Sequence, residues 1–142
     1  MSDTVNAIPS ITVGFSLRID DVDLGSFISC EGLGIEVEIE EREEGGGGAF
    51  LHQLPGRFRF SRLRLSRPVN SDTKKVLNWL NSMAGQVKRT NGEIRALSPD
   101  GSTIFSWTLR GIVPARWSGP SFHAGEPAVA TETLEIAYEG LE

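Results

Sequence analysis

Three side chains could supply a nucleophile, a base or a metal ligand: Cys30, His52 and His123. A thiol nucleophile needs a base held beside it, and a zinc site usually draws its ligands from close local pairs. These three residues lie far apart, with no such pair among them. They read as a buried structural cysteine and two surface histidines. The Gly45–Gly48 run is followed by Ala49 and Phe50, not by the Lys-Ser/Thr that would make it a phosphate-binding loop. Glu36, Glu38 and Glu40 alternate with apolar residues as one face of a strand, whereas acid–base catalysis needs two carboxylates in differing environments. The sequence therefore predicts no catalytic, cofactor-binding or metal site and no enzyme activity.

The strongest chemical signal is Arg57–Arg67, RFRFSRLRLSR, with five of the 14 basic residues and no carboxylate. Alternation sends Arg57 and Arg59 to one face of a strand and Phe58 and Phe60 to the other. After Ser61 the pattern resumes one step out of phase, through Arg62, Leu63, Arg64 and Leu65. A one-residue slip exchanges the faces. A bulge at Ser61-Arg62 would keep Phe58, Phe60, Leu63 and Leu65 in one core and put four arginines on the other side. Rings and cations would then not share a groove, which disfavours single-stranded nucleic acid. A net charge of −5 points the same way. Glu31–Glu44 holds seven of the 19 acidic residues, so the arginines are expected to meet the Glu36/Glu38/Glu40 face, within one chain or across subunits.

Composition sets the frame for these strands. A chain of 142 residues with 39% hydrophobic content and 16 glycines suits one turn-rich, mainly β domain. One cysteine excludes an internal disulfide. The N-terminus lacks the basic and apolar regions of a signal peptide, and no apolar run reaches bilayer-spanning length. The expectation is cytoplasmic synthesis and assembly, with release only as part of a particle, and no membrane binding.

Residues 1–10 read as an arm. Ile11–Ile19 alternates as a half-buried strand, Asp20–Asp23 turns, and Leu24–Ser29 returns as a hairpin partner. Ile35–Glu40 has one apolar and one acidic face. Residues 43–56 form a long loop, of a length that is usually functional, and Phe50 and Leu51 within it call for a docking surface. Asn70–Asp72 offers N-cap oxygens to a helix over 71–85, with Val76, Leu77, Leu80 and Met83 inward, Trp79 beside them and Gly85 as the stop. Glu93–Leu97 and Ile104–Leu109 form a hairpin around Ser98–Gly101, with Phe105, Trp107 and Leu109 on its buried face. Pro114 makes Ile112–Trp117 an edge or bent strand. Val129–Tyr138 closes the chain with Leu134, Ile136 and Tyr138 in one row. About eight strands and one helix imply an antiparallel β-sandwich or barrel with the helix capping it.

In this order the motifs resemble a known family. They are Gly25-Ser26-Phe27, Cys30-Glu31-Gly32-Leu33, Glu40–Gly46, Leu54-Pro55-Gly56, Leu63–Arg67, the Trp79 helix, Trp107, Pro114, Trp117 with Gly119-Pro120, Glu132–Glu135 and Glu139-Gly140-Leu141. From about Phe15 to Leu141 the chain resembles the tail tube proteins of contractile phages of the T4 type. It is most similar to the inner tube proteins of extracellular contractile injection systems. It departs from the family at Ser66-Arg67-Pro68, where Lys-Arg-Gly is expected, and in its long glycine run.

The resemblance implies a single tail tube domain over 1–142, assembled as hexameric rings that stack into a hollow tube, with strands from six subunits joining in one continuous barrel. It implies a sheath that drives the tube through a target envelope, a baseplate hub or spike, a tube-capping protein and possible cargo. The expected subunit interface is Glu36, Glu38, Glu40, Phe50, Leu51, Arg57, Arg59, Arg62 and Arg64. Lys74 and Lys75 are the sheath-facing candidates. The alternatives are a type VI secretion tube protein, similar in fold class, and a monomeric ligand-binding β-barrel.

Overall fold

The computed structural model describes residues 11–43 and 51–142. Its strands are β1 (Gly14–Ile19), β2 (Val22–Phe27), β3 (Ser29–Glu31), β4 (Ile35–Glu43), β5 (Leu51–Phe60), β6 (Leu63–Pro68), β7 (Thr90–Leu97), β8 (Thr103–Ser118), β9 (Thr131–Ala137) and β10 (Gly140–Leu141). One helix, α1 (Thr73–Met83), lies between β6 and β7. Eight strands form one sheet in the order β2-β1-β7-β8-β9-β6-β3, with β10 beside β8. Every pairing is antiparallel. Among the described residues the architecture is mainly β with one helix, as the sequence predicts.

Two strands shared between layers close this sheet. β2 and β3 stand at opposite ends of the strand order yet are separated in the chain by Ile28 alone. The long β8 pairs with β7 from Thr103 to Ile112 and with β9 from Val113 to Ser118. One layer is thus β2-β1-β7-β8 and the other β8-β9-β6-β3. Between them sit Leu17, Leu24, Phe27, Leu63, Leu65, Ile94, Leu109, Ile112, Leu134 and Ile136, all fully buried. Strand alternation brings these rows inward, and burying them is the main favourable term in holding the layers together. Helix α1 adds Val76, Trp79 and Met83 to the same core.

Several expectations need correction. Arg57–Arg67 is not one bulged strand. β5 ends at Phe60 and β6 begins at Leu63, and the two belong to different sheets, because β4 and β5 form a separate two-stranded ribbon. The phase slip at Ser61-Arg62 is a break between sheets. Gly32 (φ +98°) crosses the chain there so closely that a Cβ would overlap the Arg62 carbonyl. Phe58 is therefore not in the core but 62% exposed. Arg67 has the parity of Leu63 and Leu65 and is buried with them, 1% exposed. Residues 51–56 of the expected loop are strand; Phe50 and Gly45–Gly48 lie outside the described residues, as does the 1–10 arm.

The helix turns Trp79 inward rather than Leu77 and Leu80. Val76, Trp79 and Met83 are buried, while Leu80 packs against the core from its margin. Asp72 is the N-cap residue but makes no side-chain cap bond; the Asn70 side chain instead accepts from the Asp72 N–H at 2.8 Å. Gly85 is not left-handed, so it is no αL stop. Phe105, Trp107 and Leu109 share the predicted face, but burial fades along it: Leu109 is fully buried, Phe105 58% exposed. Pro114 is at a bulge where β8 has β9 on one side only, as suits a residue without an N–H.

Candidate functional site

The side chains that could do chemistry are not assembled for it. Cys30, in β3, faces Leu65 of β6 and is half-buried; burial first, and the Glu31 charge second, push its thiol up to about 11. His52 pairs in register with Arg42 in the outer part of the ribbon, and His123 is exposed in the connection after β8. Among the described residues no group of three His, Cys, Asp or Glu side chains could hold a metal ion. A depression of about 710 Å³ is open and lined mainly by polar residues such as Arg18, Asp20, Glu93 and Arg95.

Among the described residues one polar cluster is buried, and it is a tie. The Arg67 Nε donates to Glu132 Oε2 at 3.0 Å. Arg67 Nη1 donates to the Leu24 carbonyl at 2.6 Å and to the Ser26 carbonyl at 3.3 Å. The guanidinium lies 4.1 Å from the Phe27 ring centroid, within cation–π range. Glu132, fully buried, also accepts from Trp117 Nε1 at 2.9 Å and from the Thr73 hydroxyl. Two buried charges thus join β2, β6, β8, β9 and the first residue of α1. Buried charges are tolerated only when paired and hydrogen-bonded in this way. The Asp72 and Arg67 side chains close over Gly25 (φ +90°), where no Cβ would fit. Sequence reasoning assigned Arg67 no such role, although its parity with Leu63 and Leu65 was the available signal.

The surface with no evident internal use is the ribbon. Register puts Ile35 opposite Phe60, Glu36 opposite Arg59 and Val37 opposite Phe58, with an irregularity before Ile39. One face therefore carries Ile35, Val37, Ile39, Phe58 and Phe60. Along it Ile35, Ile39 and Phe58 are 48%, 52% and 62% exposed. The other face carries Glu36 and Arg59, and Arg59 pairs with Glu38. Leu51, opposite Glu43, is half exposed. The expected meeting of the acidic and arginine strands holds for β4 and β5 only. Arg64 belongs to the main sheet and reaches Glu135 at 3.8 Å. Arg62 sits in the break, and among the described residues neither it nor Arg57 forms an ion pair.

The base of the ribbon is fixed. Tyr138 donates its hydroxyl proton to the Gly32 carbonyl at 3.0 Å and accepts from the Gly34 N–H at 3.3 Å. Its ring meets Phe60 at 5.5 Å between centroids. Burial, outweighing the Gly34 hydrogen bond, raises the phenol's pKa. At the helix, Lys74 and Lys75 are exposed as expected; Lys75 pairs with Asp72 at 3.1 Å.

A projecting two-stranded ribbon with one apolar face, on a barrel without a catalytic cluster among the described residues, fits an assembling subunit. Solved structures share the fold. A chain of the PVC sheath-tube complex in its extended state, from an extracellular contractile injection system, gives a TM-score of 0.82 at 21% identity, covering 100% of this chain and 95% of that one. A chain of the anti-feeding prophage tube-terminating cap gives 0.79 at 23% identity, covering 95% and 90%. Hcp1 from Flavobacterium johnsoniae is more distant, with a TM-score of 0.53 at 15% identity over 91% and 93%. Among curated proteins, none matches the chain in sequence. The family model of the T4-like virus tail tube protein gp19 matches residues 12–142, so the chain belongs to that family and is a structural tube subunit.

Proposed function

We propose that the chain builds the rigid inner tube of a contractile particle, as hexameric rings stacked into a hollow conduit. Family membership over residues 12–142 carries this reading. The likeness to chains of a sheath-tube complex, a baseplate and a tube-terminating cap supports sheath, baseplate and cap as partners. The weaker likeness to Hcp1 makes a type VI secretion tube the second reading. A monomeric ligand-binding barrel is disfavoured, because the space between the layers is filled by fully buried aliphatic side chains. Synthesis and assembly in the cytoplasm, followed by release of the whole particle, complete the proposal.

The β4–β5 ribbon is the proposed subunit contact, through Glu36, Glu38, Glu40, Leu51, Arg57 and Arg59 and the apolar row Ile39/Phe58. Phe50 is proposed to join them, and Lys74 and Lys75 face the sheath. An exposed apolar ribbon is an aggregation hazard alone and an anchor once covered. Electron microscopy of the purified protein should show stacked rings. Changing Ile39 and Phe58 to Ser should leave a folded monomer and no tubes; normal tubes from that variant would remove the ribbon from the interface.

A further inference from the structure

In the layer β8-β9-β6-β3 two strand edges lack a hydrogen-bonded neighbour among the described residues. One is the outer edge of β3, which pairs with β6 alone. The other is the edge of β8 from Val113 to Ser118, which pairs with β9 alone. In the other layer β10 covers β8 at Leu109 and Arg110 and α1 lies beside β2, while the outer edge of β2 and the side of β8 away from β7 at residues 103–107 have no strand against them among the described residues.

The register across the open layer places charges in alternation. Arg116 faces Glu135, Glu135 faces Arg64 and Arg64 faces Glu31. The row runs plus, minus, plus, minus over four strands, on the face turned away from the core. Its two ends are the open edges: Arg116 on β8 and Glu31 on β3. Both are exposed, and neither forms an ion pair among the described residues. Their strands stand three spacings apart, about 14 Å, with Glu135 and Arg64 between them in the same depression, and no ion pair joins the two within one chain.

We infer that Arg116 of one copy pairs with Glu31 of the next across a β8–β3 seam, which makes subunit association head-to-tail. The occupant of each open edge is a second copy of this chain. Charge complementarity argues for it, since the seam extends the alternation without a break. Strand direction agrees: an even number of antiparallel strands leaves β8 and β3 opposite in direction, so copies related by rotation meet antiparallel. Complementary patches at opposite edges give a heterologous contact, which closes into a ring when the rotation permits. Closure covers both edges and removes their liability to wrong pairing. The inference rests on the tube reading and adds to it which edges meet and which charges select them.

The test uses two reversals of the full chain. Glu31→Arg makes both ends of the row positive, and Arg116→Glu makes both negative. Each variant alone should assemble with a critical concentration raised about tenfold, since each seam exchanges an attractive pair for a repulsive one. An equimolar mixture should assemble near the wild-type concentration, because positive and negative copies alternate round a ring of even number. Each variant also brings like charges together in its own sheet, two positive ones where Glu31→Arg meets Arg64 and two negative ones where Arg116→Glu meets Glu135. The mixture retains those internal clashes, so its recovery can arise only at the seam. Single variants that form tubes as readily as wild type would overturn the seam, as would a mixture that fails where the singles fail. Wild-type protein that forms no rings would overturn the tube reading, and the seam with it.

Discussion

Arg67→Met tests whether the buried tie holds the two layers together. The side chain is 1% exposed and its partner Glu132 is 0%, so water cannot take over what the guanidinium leaves. The substitution removes the 3.0 Å bond to Glu132 and the 2.6 Å bond to the Leu24 carbonyl. Breaking a buried pair from one side costs about 3–5 kcal/mol, because the remaining charge is uncompensated. Losing the Phe27 contact contributes about 0.5–2 kcal/mol of that effect. Glu132→Leu should cost a similar amount, since it strands Arg67 as well as Trp117 Nε1 and the Thr73 hydroxyl. The double variant has no unpaired charge and keeps only orphaned neutral groups, at roughly 1–3 kcal/mol each. It should therefore be no less stable than either single variant. Urea unfolding below the assembly concentration, followed by tryptophan fluorescence, measures the cycle. An Arg67→Met loss under about 1 kcal/mol, or single effects that simply add, would refute the reasoning.

Other outcomes follow from separate parts of the fold. Tyr138→Phe removes the phenol bonds to Gly32 and Gly34 and should cost about 0.5–1.5 kcal/mol, with faster amide exchange at the base of the ribbon than elsewhere. Gly32→Ala places a Cβ on the Arg62 carbonyl at a positive φ and should be more damaging than any glycine-to-alanine change on the exposed surface, as thermal denaturation would show. The Cys30 thiol, raised from 9.0 to about 11, is stabilised in its protonated form by folding. Its contribution is complete below pH 9 and is lost as the pH rises through about 11, so alkylation at pH 8 should be much slower in folded than in urea-unfolded protein. Asp100, lowered to about 2 by the Ser98 and Ser102 hydroxyls, should titrate below the ordinary aspartate range in an NMR experiment. Its support of the β7–β8 turn is then present above pH 3.8 and fades as the pH falls toward 2.

How far the sequence revealed this fold depends on what each pattern constrains. Period-two alternation marked β1, β7 and β9 because each has one face on the core, and it marked the start of β4 although the apolar face there is largely open. Phe60 packs against the core as expected, but alternation could not place Phe58, since it says which residues share a face and not whether that face is covered. The same limit hid the ribbon: β4 and β5 read like core strands, yet their apolar row is open in the isolated subunit. The helix face was misjudged for another reason. Val76, Trp79 and Met83 fall at i, i+3 and i+7 and share one helical stripe, whereas Leu77 lies about 100° round the helix from Val76, so including Leu77 turned the expected face away from Trp79. Arg67 was legible and was missed, because charge was given more weight than parity.

The charge pattern shows why parity deserved that weight. In β6, Arg64 and Arg67 differ by three positions, an odd step, so they must point to opposite faces of the strand. One joins a surface row with Glu31 and Glu135, and the other meets Glu132 inside. β9 does the same in reverse, with Glu135 outward and Glu132 inward. Two short strands therefore carry two ion pairs on opposite faces, and sliding them by one residue would bury Arg64 and Glu135 in place of Leu65 and Leu134. Such a slip would empty the core and strand its charges together. The buried pair thus fixes the register that lays out the surface row. Loss of Arg67 should consequently weaken assembly beyond its effect on stability, by loosening the alignment of Arg64 with Glu31 at the β3 edge.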